Sequence, residues 1–260
     1  MNTLEIGKGP IFKVYSEEVK SVNLPFYIDE EIYNSGAYNP EEGIFKELKL
    51  DKGMKIQHLP NNAVSTREIL YLSGRSGSGK SYYAMKYIKE YKKKYKDRPI
   101  FLFTYLTEED QTLKDLKVNK FKLDEYFLET PLEIDFFEKS LVLMDDIDMI
   151  SDKLIYKKIR EILDKILQTG RHKEISCIYT SHLLTNSNQT KLILNESHTA
   201  TIYPCGLPKR NIEYFLSSYL GFDKKDIAKV SRIKSRWITF YKTFPIVVAY
   251  ETGAYIAGSD

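Results

Sequence analysis

The sequence predicts an α/β fold: a parallel sheet with helices on both faces, a small N-terminal extension and a C-terminal hairpin. Three observations predict it. Short apolar runs alternate with stretches of helical spacing from about residue 65 onward. One apolar run, Glu68–Leu72, stops at a cluster of glycines and serines and is followed by a helical pattern. Another, Leu141–Met144, ends in two aspartates. Strands joined through helices are crossovers, and crossovers produce parallel neighbours.

The elements follow in order. Residues 1–64 carry short strand-like runs, Ile11–Tyr15 and Pro25–Ile28, among acidic and Asn/Gly/Pro-rich turns, and are read as an extension packed on the core. The domain proper spans 65–260. Its first strand is Glu68–Leu72, and a helix follows over Ser81–Tyr95. Pro99–Thr104 is a second strand, and 105–139 a charge-rich crossover. Leu141–Met144 is a third strand. Over Asp152–Gln168, residues Leu154, Ile155, Ile159, Ile162, Leu163, Ile166 and Leu167 share one broad helical face, and Gly170 is placed to end that helix. Ile175–Thr180 and Thr199–Tyr203 are the fourth and fifth strands. Helices are expected near 209–219 and 223–231. Trp237–Tyr241 and Ile246–Tyr250 form a hairpin around Thr243-Phe244-Pro245.

The first break carries chemistry. In "LSGRSGSGKSYYAMKYIKEY" (72–91), Gly74, Gly79, Lys80 and Ser81 fit G-x-x-x-x-G-K-[ST], the P-loop pattern, between a strand and a helix. Glycines 74, 77 and 79 let the backbone turn its N–H groups toward phosphate oxygens. The ATP-binding residues are therefore Gly74, Arg75, Ser76, Gly77, Ser78, Gly79, Lys80 and Ser81. Lys80 reaches the β- and γ-phosphates, and the Ser81 hydroxyl is a Mg²⁺ ligand. In "LVLMDDIDMI" (141–150) a buried strand delivers Asp145 and Asp146 at its C-terminal end. That is the Walker B arrangement: Asp145 holds Mg²⁺ through water, and Asp146 polarises the attacking water. Asp148 is read as lying near the next helix start. A GTPase base reader, Asn-Lys-x-Asp, is missing, since "NKFK" (119–122) lacks the Asp. No arginine-rich lid of a small-molecule kinase follows the P-loop.

Composition excludes little else. A net charge of +3 on 260 residues does not announce a nucleic-acid binder. Two cysteines, Cys177 and Cys205, have no paired spacing, which favours a reducing compartment over a disulfide scaffold or zinc site. "MNTLEIGKGP" has no long apolar core, and no run approaches a membrane span of about 18 residues. A soluble intracellular protein is expected.

"QTGRHKEISCIYTSH" (168–182) adds an Arg-His pair before an apolar strand with a polar end. With it, an ordered set is complete: "GRSGSGKS", "IFLFT", "LVLMDD", "GRH", "ISCIYTSH" and the downstream "SRWITFYKTFPIVVAYETGAYI". Over roughly 65–258 this set resembles the poxvirus-type genome-packaging ATPases of large DNA viruses, in the FtsK–HerA superfamily. The resemblance implies a RecA/FtsK-like P-loop NTPase using ATP and Mg²⁺. It implies a homo-oligomeric ring that drives double-stranded DNA, held non-specifically by its backbone, into a capsid. A capsid vertex or membrane-associated virion proteins are the implied partners, and the host cytoplasm at the assembly site, or the virion, the implied location. It also implies roles. Arg171 is a candidate arginine finger, with capping of the preceding helix as the alternative. His182, after Ser181, stands where the family usually has a Gln that senses the γ-phosphate; His172 is read as structural. The basic stretch "KYIKEYKKKYKDR" (86–98) is read as a solvated helix face rather than a DNA contact. Two other functions remain open: a cellular or plasmid HerA/FtsK-like translocase, and a nucleotide-regulated assembly or scaffolding protein with little turnover.

Overall fold

A computed structural model describes residues 11–16, 24–26, 47–60, 67–105, 112–114, 116–186, 189–242 and 246–257. In chain order the strands are β1 (Phe12–Ser16), β2 (Leu24–Phe26), β3 (Glu47–Lys49), β4 (Met54–His58), β5 (Ile69–Ser73), β6 (Ile100–Thr104), β7 (Asn119–Lys122), β8 (Leu141–Asp145), β9 (Ser176–Ser181), β10 (Thr199–Ile202), β11 (Ile238–Tyr241), β12 (Val247–Tyr250) and β13 (Gly253–Ile256). The α-helices are α1 (Lys80–Lys94), α2 (Glu125–Glu129), α3 (Lys153–Thr169), α4 (Lys191–Glu196), α5 (Lys209–Leu220) and α6 (Lys224–Ser231).

Ten strands form one sheet in the order β3-β13-β12-β11-β10-β5-β9-β8-β6-β7. From β10 to β7 neighbours run parallel. From β10 to β3 they run antiparallel. The central parallel strands β5, β8 and β9 are buried on both faces, which explains their largely apolar sequence. Alternate residues face opposite sides. Ile69 and Tyr71 join the core under α3, α4 and α5, and Leu70 and Leu72 join the core under α1. The expected hairpin is present as β11 and β12, paired Ile238 to Tyr250, and continues into β13. Its turn, Thr243-Phe244-Pro245, lies outside the described residues, as do residues 27 and 28 of the second strand-like run.

Four short strands escaped the sequence pattern: β3 and β7 at the two sheet edges, β13, and β4 of the small N-terminal sheet. β7 is the "NKFK" stretch, inside the expected crossover. The expected apolar face of α3 holds except at Leu154, which is 66% exposed. Asp152 caps the start of α3, accepting from the backbone N–H of Leu154 (2.8 Å) and Ile155 (3.0 Å). At its other end, buried Arg67 donates to the carbonyls of Ile166 and, at 2.6 Å, Leu167. Gly170 ends the helix in ordinary right-handed geometry. A side chain there would collide with Ile166 O and the Arg67 guanidinium, so the close approach demands the glycine.

A second, three-stranded antiparallel sheet, β2-β1-β4, packs its Ile11, Phe12, Val14 and Ile56 against β11–β13. A buried polar cluster ties it to the core. Glu68 Oε1 contacts His58 Nε2 (2.8 Å) and accepts from Thr199 Oγ1 (2.7 Å), while Oε2 accepts from Tyr87 (2.8 Å). Each polar atom has a partner, as burial requires.

His198, next to β10, accepts the Ile69 N–H on Nδ1 at 3.0 Å. Burial, with Arg67, Lys242 and Arg171 nearby, holds its imidazole below the ordinary value of 6.5 against the opposing pull of Glu68. The unfolded chain therefore takes up the proton first. Stability is fully present above about 6.5 and falls as pH drops below it. His198→Asn keeps a non-titrating acceptor. The urea midpoint of the variant is expected to change less than that of the parent between pH 7.5 and 5.

Candidate active site

The three central strands β5, β9 and β8 end side by side, with β9 between the other two. Register aligns Ser73 with Ser181 and Leu72 with Thr180, and on the other side Met144 with Tyr179. The rim of the sheet thus gathers the P-loop, Asp145-Asp146 and Thr180-Ser181-His182, although they are far apart in sequence. Ligands of parallel sheets bind at such C-terminal rims.

The P-loop runs from Gly74 into α1. Gly77 and Gly79 have φ of 70° and 110°, values that favour glycine. At Gly74 the need is for room: a Cβ would lie 2.7 Å from Tyr203 Cβ. The loop is held from two sides. Gly74 N donates to Ser181 O (3.1 Å), and the Tyr203 hydroxyl donates to Gly79 O (2.9 Å). The first N–H groups of α1 have no carbonyl one turn back, so they and the helix dipole favour an anion. Arg75, Ser76 and Gly77 are exposed, Ser78, Gly79 and Ser81 half-buried, and Lys80 buried.

Lys80 Nζ donates to Gly74 O (2.9 Å) and lies 3.6 Å from Asp146 Oδ1. At that distance the second contact is an ion pair rather than a hydrogen bond. Asp145 is buried at the end of β8. Asp146 follows in left-handed geometry (φ 47°), a conformation that costs an aspartate on the order of 1 kcal/mol. Its N–H on Thr180 Oγ1 (2.8 Å) secures it there. The Thr180 hydroxyl also lies 2.9 Å from Asp145 Oδ1 and 3.0 Å from Asp146 Oδ1. It has one hydrogen to give, so the two carboxylates share it.

His182 Nε2 lies 3.0 Å from Asp146 Oδ2. The residue expected to sense nucleotide is thus within reach of the residue expected to act on water. Asp148 lies at a helix start, as expected, and also joins the site. It sits in a 3₁₀ turn and accepts from Ser181 Oγ (2.8 Å) and His182 N (3.1 Å), so it positions the end of β9. Arg171 is not in this group. It is exposed on the turn leading into β9, and the strand separates it from the rim by about 17 Å at 3.3 Å per residue. Arg67 donates to two of the C-terminal carbonyls of α3, those of Ile166 and Leu167.

Thr180, Tyr203 and Asp148 were not singled out from the sequence as parts of the site. Thr180 precedes the Ser181-His182 pair, which is the one signal that could have marked it. Tyr203 and Asp148 act through contacts that no local pattern encodes.

The chain is 40% identical over 190 residues to the uncharacterized protein V3 of Sputnik virophage, covering 72% of this chain and 76% of that protein. It belongs to the V3 family. No protein-family model matches. Among solved structures, the genome packaging NTPase B204 of Sulfolobus turreted icosahedral virus 2 in complex with AMP is similar, with a TM-score of 0.52. The two share 15% identity over 72% of this chain and 98% of that one. The cytoplasmic domain of the type VII secretion ATPase EccC of Thermomonospora curvata has a TM-score of 0.51 at 12% identity, over 82% of this chain and 29% of that one. The fold of this V3 relative is thus that of P-loop NTPases, and the resemblance to FtsK–HerA packaging ATPases holds at the level of fold. Among the described residues, no helix is long and apolar enough to cross a membrane.

Thr180→Val keeps the shape of the side chain and deletes the shared hydrogen. The two carboxylates then face each other without it, and the N–H of Asp146 loses its acceptor. Stability is expected to fall by on the order of 1–3 kcal/mol, read from urea denaturation, with Thr180→Ser retaining most of it.

Proposed function

We propose that the chain is an ATP-hydrolysing motor that moves double-stranded viral DNA into a preformed capsid. The observation that carries this reading is the convergence of Lys80, Asp145, Asp146 and His182 on one rim, in a fold shared with a viral packaging NTPase. The virophage relative favours packaging over a cellular or plasmid translocase.

The site's donor set fits Mg–ATP. The glycine-rich turn offers backbone N–H groups, Lys80 a cation, and Ser81 and Asp145 the hard oxygens that Mg²⁺ prefers. Bound Mg²⁺ neutralises charge on the β- and γ-phosphates. Asp145 would hold that ion, and Lys80, now on Gly74 O, would turn to the phosphates. Asp146 orients the attacking water and accepts its proton. His182 fixes Asp146 and reports on the γ-phosphate in place of the family's usual Gln. Arg171 is too far to serve its own P-loop, so it completes the site of a neighbouring subunit in a ring. Residues 65–260 form the ATPase domain, and 1–64 an extension on it. DNA is held through phosphates, which carry no sequence information. The work is done at the viral assembly site in the host cytoplasm, against a capsid vertex or membrane-associated virion proteins.

Lys80→Ala is expected to abolish ATP binding in calorimetry. Asp146→Asn should bind ATP and fail to hydrolyse it; near-normal turnover would remove Asp146 from this role. DNA should stimulate the ATPase of the parent, and its mass should be that of a ring. A nucleotide-regulated scaffold would instead show little turnover with or without DNA.

Arg171→Ala should keep ATP binding and fold but lose most hydrolysis, since a finger is worth about 10³–10⁵ in rate in well-studied NTPases. Mixed with Asp145→Asn subunits, it should regain partial activity at interfaces where an intact Asp145 site meets an intact Arg171. Turnover of the single variant within twofold of the parent would sink the finger assignment.

A further inference from the structure

A cavity of ≈ 480 Å³ opens beside the P-loop, on the flank away from the carboxylates. Gly79, Tyr82, Tyr83, Lys86 and Tyr87 form its floor, a single face of α1 at helical spacing. Arg236, Trp237 and Glu251, around β11 and β12, form one wall, and Tyr15 of β1 with Lys55–His58 of β4 form the other. The volume lies within the range of small-molecule sites.

We propose that this cavity receives the base and ribose of the nucleotide whose phosphates the P-loop holds, with the N-terminal strands β1 and β4 as its outer wall. The inference rests on the P-loop reading above. Topology sets the direction. β5 lies between β9 and β10. Asp145, Asp146 and His182 occupy the β9 side, where the terminal phosphate must sit. The nucleoside therefore leaves toward β10 and β11, and Gly79 belongs to both the loop and the cavity.

The lining has the right chemistry. Tyr82 is half exposed, and Trp237 stands edge-on to Tyr83 with centroids 5.5 Å apart. Such rings offer stacking faces to a base. Arg236 Nε donates to Ser78 O (3.0 Å), and its guanidinium lies over Gly79, so that a Cβ there would be 3.0 Å from Nη2. That places a fixed cation where the loop meets the cavity, beside the α-phosphate and ribose. Glu251 Oε2 accepts from the backbone N–H of Arg236 (2.8 Å) and holds the segment in place. Lys86 Nζ donates to the Tyr15 hydroxyl (2.7 Å) and rests 4.9 Å from the Tyr82 ring centroid, linking the wall to the floor.

The chain's single tryptophan is Trp237, so tryptophan fluorescence reports on the wall of this cavity. ATP and inorganic tripolyphosphate are titrated into the full chain, following both heat and fluorescence. ATP should change the emission, and tripolyphosphate should bind without changing it. Tyr82→Ala, at an exposed position, should weaken ATP on the order of tenfold and leave tripolyphosphate within twofold. If both ligands bind but give equal emission changes, or Tyr82→Ala weakens both or neither, the nucleoside lies elsewhere while the P-loop reading stands. If neither ligand binds, the P-loop reading falls and this proposal with it.

Discussion

The insertion of β9 between β5 and β8 is the constraint on which the site depends. Its two parallel ladders leave no freedom of register, because a slip by one residue would turn every buried side chain of β9 to the other face. With register set, Thr180 falls level with the end of β8 and Ser181 level with the start of the P-loop. The loop is then tied to β9 by Gly74 N on Ser181 O, and the carboxylates are tied to β9 by Thr180. A single strand thus measures the distance between the P-loop and the acids.

That arrangement concentrates unfavourable terms in one place. Two carboxylates share one hydroxyl hydrogen, and Asp146 holds a left-handed backbone that a glycine would adopt more easily. Lys80 offsets part of the negative charge at 3.6 Å. Burial elsewhere supports the strain: the strands beneath are apolar on both faces and covered by helices. Local strain persists where the surroundings over-determine it, and at this rim it aims Asp146 at His182.

The central elements were legible because two signals coincide in them. β5, α1 and β8 combine an apolar period with a motif whose chemistry demands that geometry, and they formed within a residue or two of the expected bounds. β3, β4, β7 and β13 were not legible. They are three to five residues long, and β3 and β7 are edge strands with exposed residues, so no alternation stands out. Leu154 shows the limit of periodicity, since a helical face names candidates for burial and the neighbouring elements choose among them. In the site, Lys80, Asp145 and Asp146 were readable from local spacing. The partners that hold them were not: Thr180 meets the acids across about 35 residues of chain, and Arg67 reaches the end of α3 across about 100. Such contacts are made by topology, and topology is not written in any one window.

The sheet is also divided along its width. The parallel half carries the P-loop and the two aspartates at its rim. The antiparallel half, β10 through β13 and β3, brings Arg236 and Trp237 to the P-loop and gives the small N-terminal sheet its packing surface. The buried cluster of His58, Glu68, Tyr87 and Thr199 joins these parts behind the P-loop helix, so β4, β5, α1 and β10 meet at one polar point in the core. Moving β4 away would leave the buried Glu68 carboxyl without its imidazole partner and short of a hydrogen bond. The N-terminal strands are therefore bound to the core by more than apolar contact.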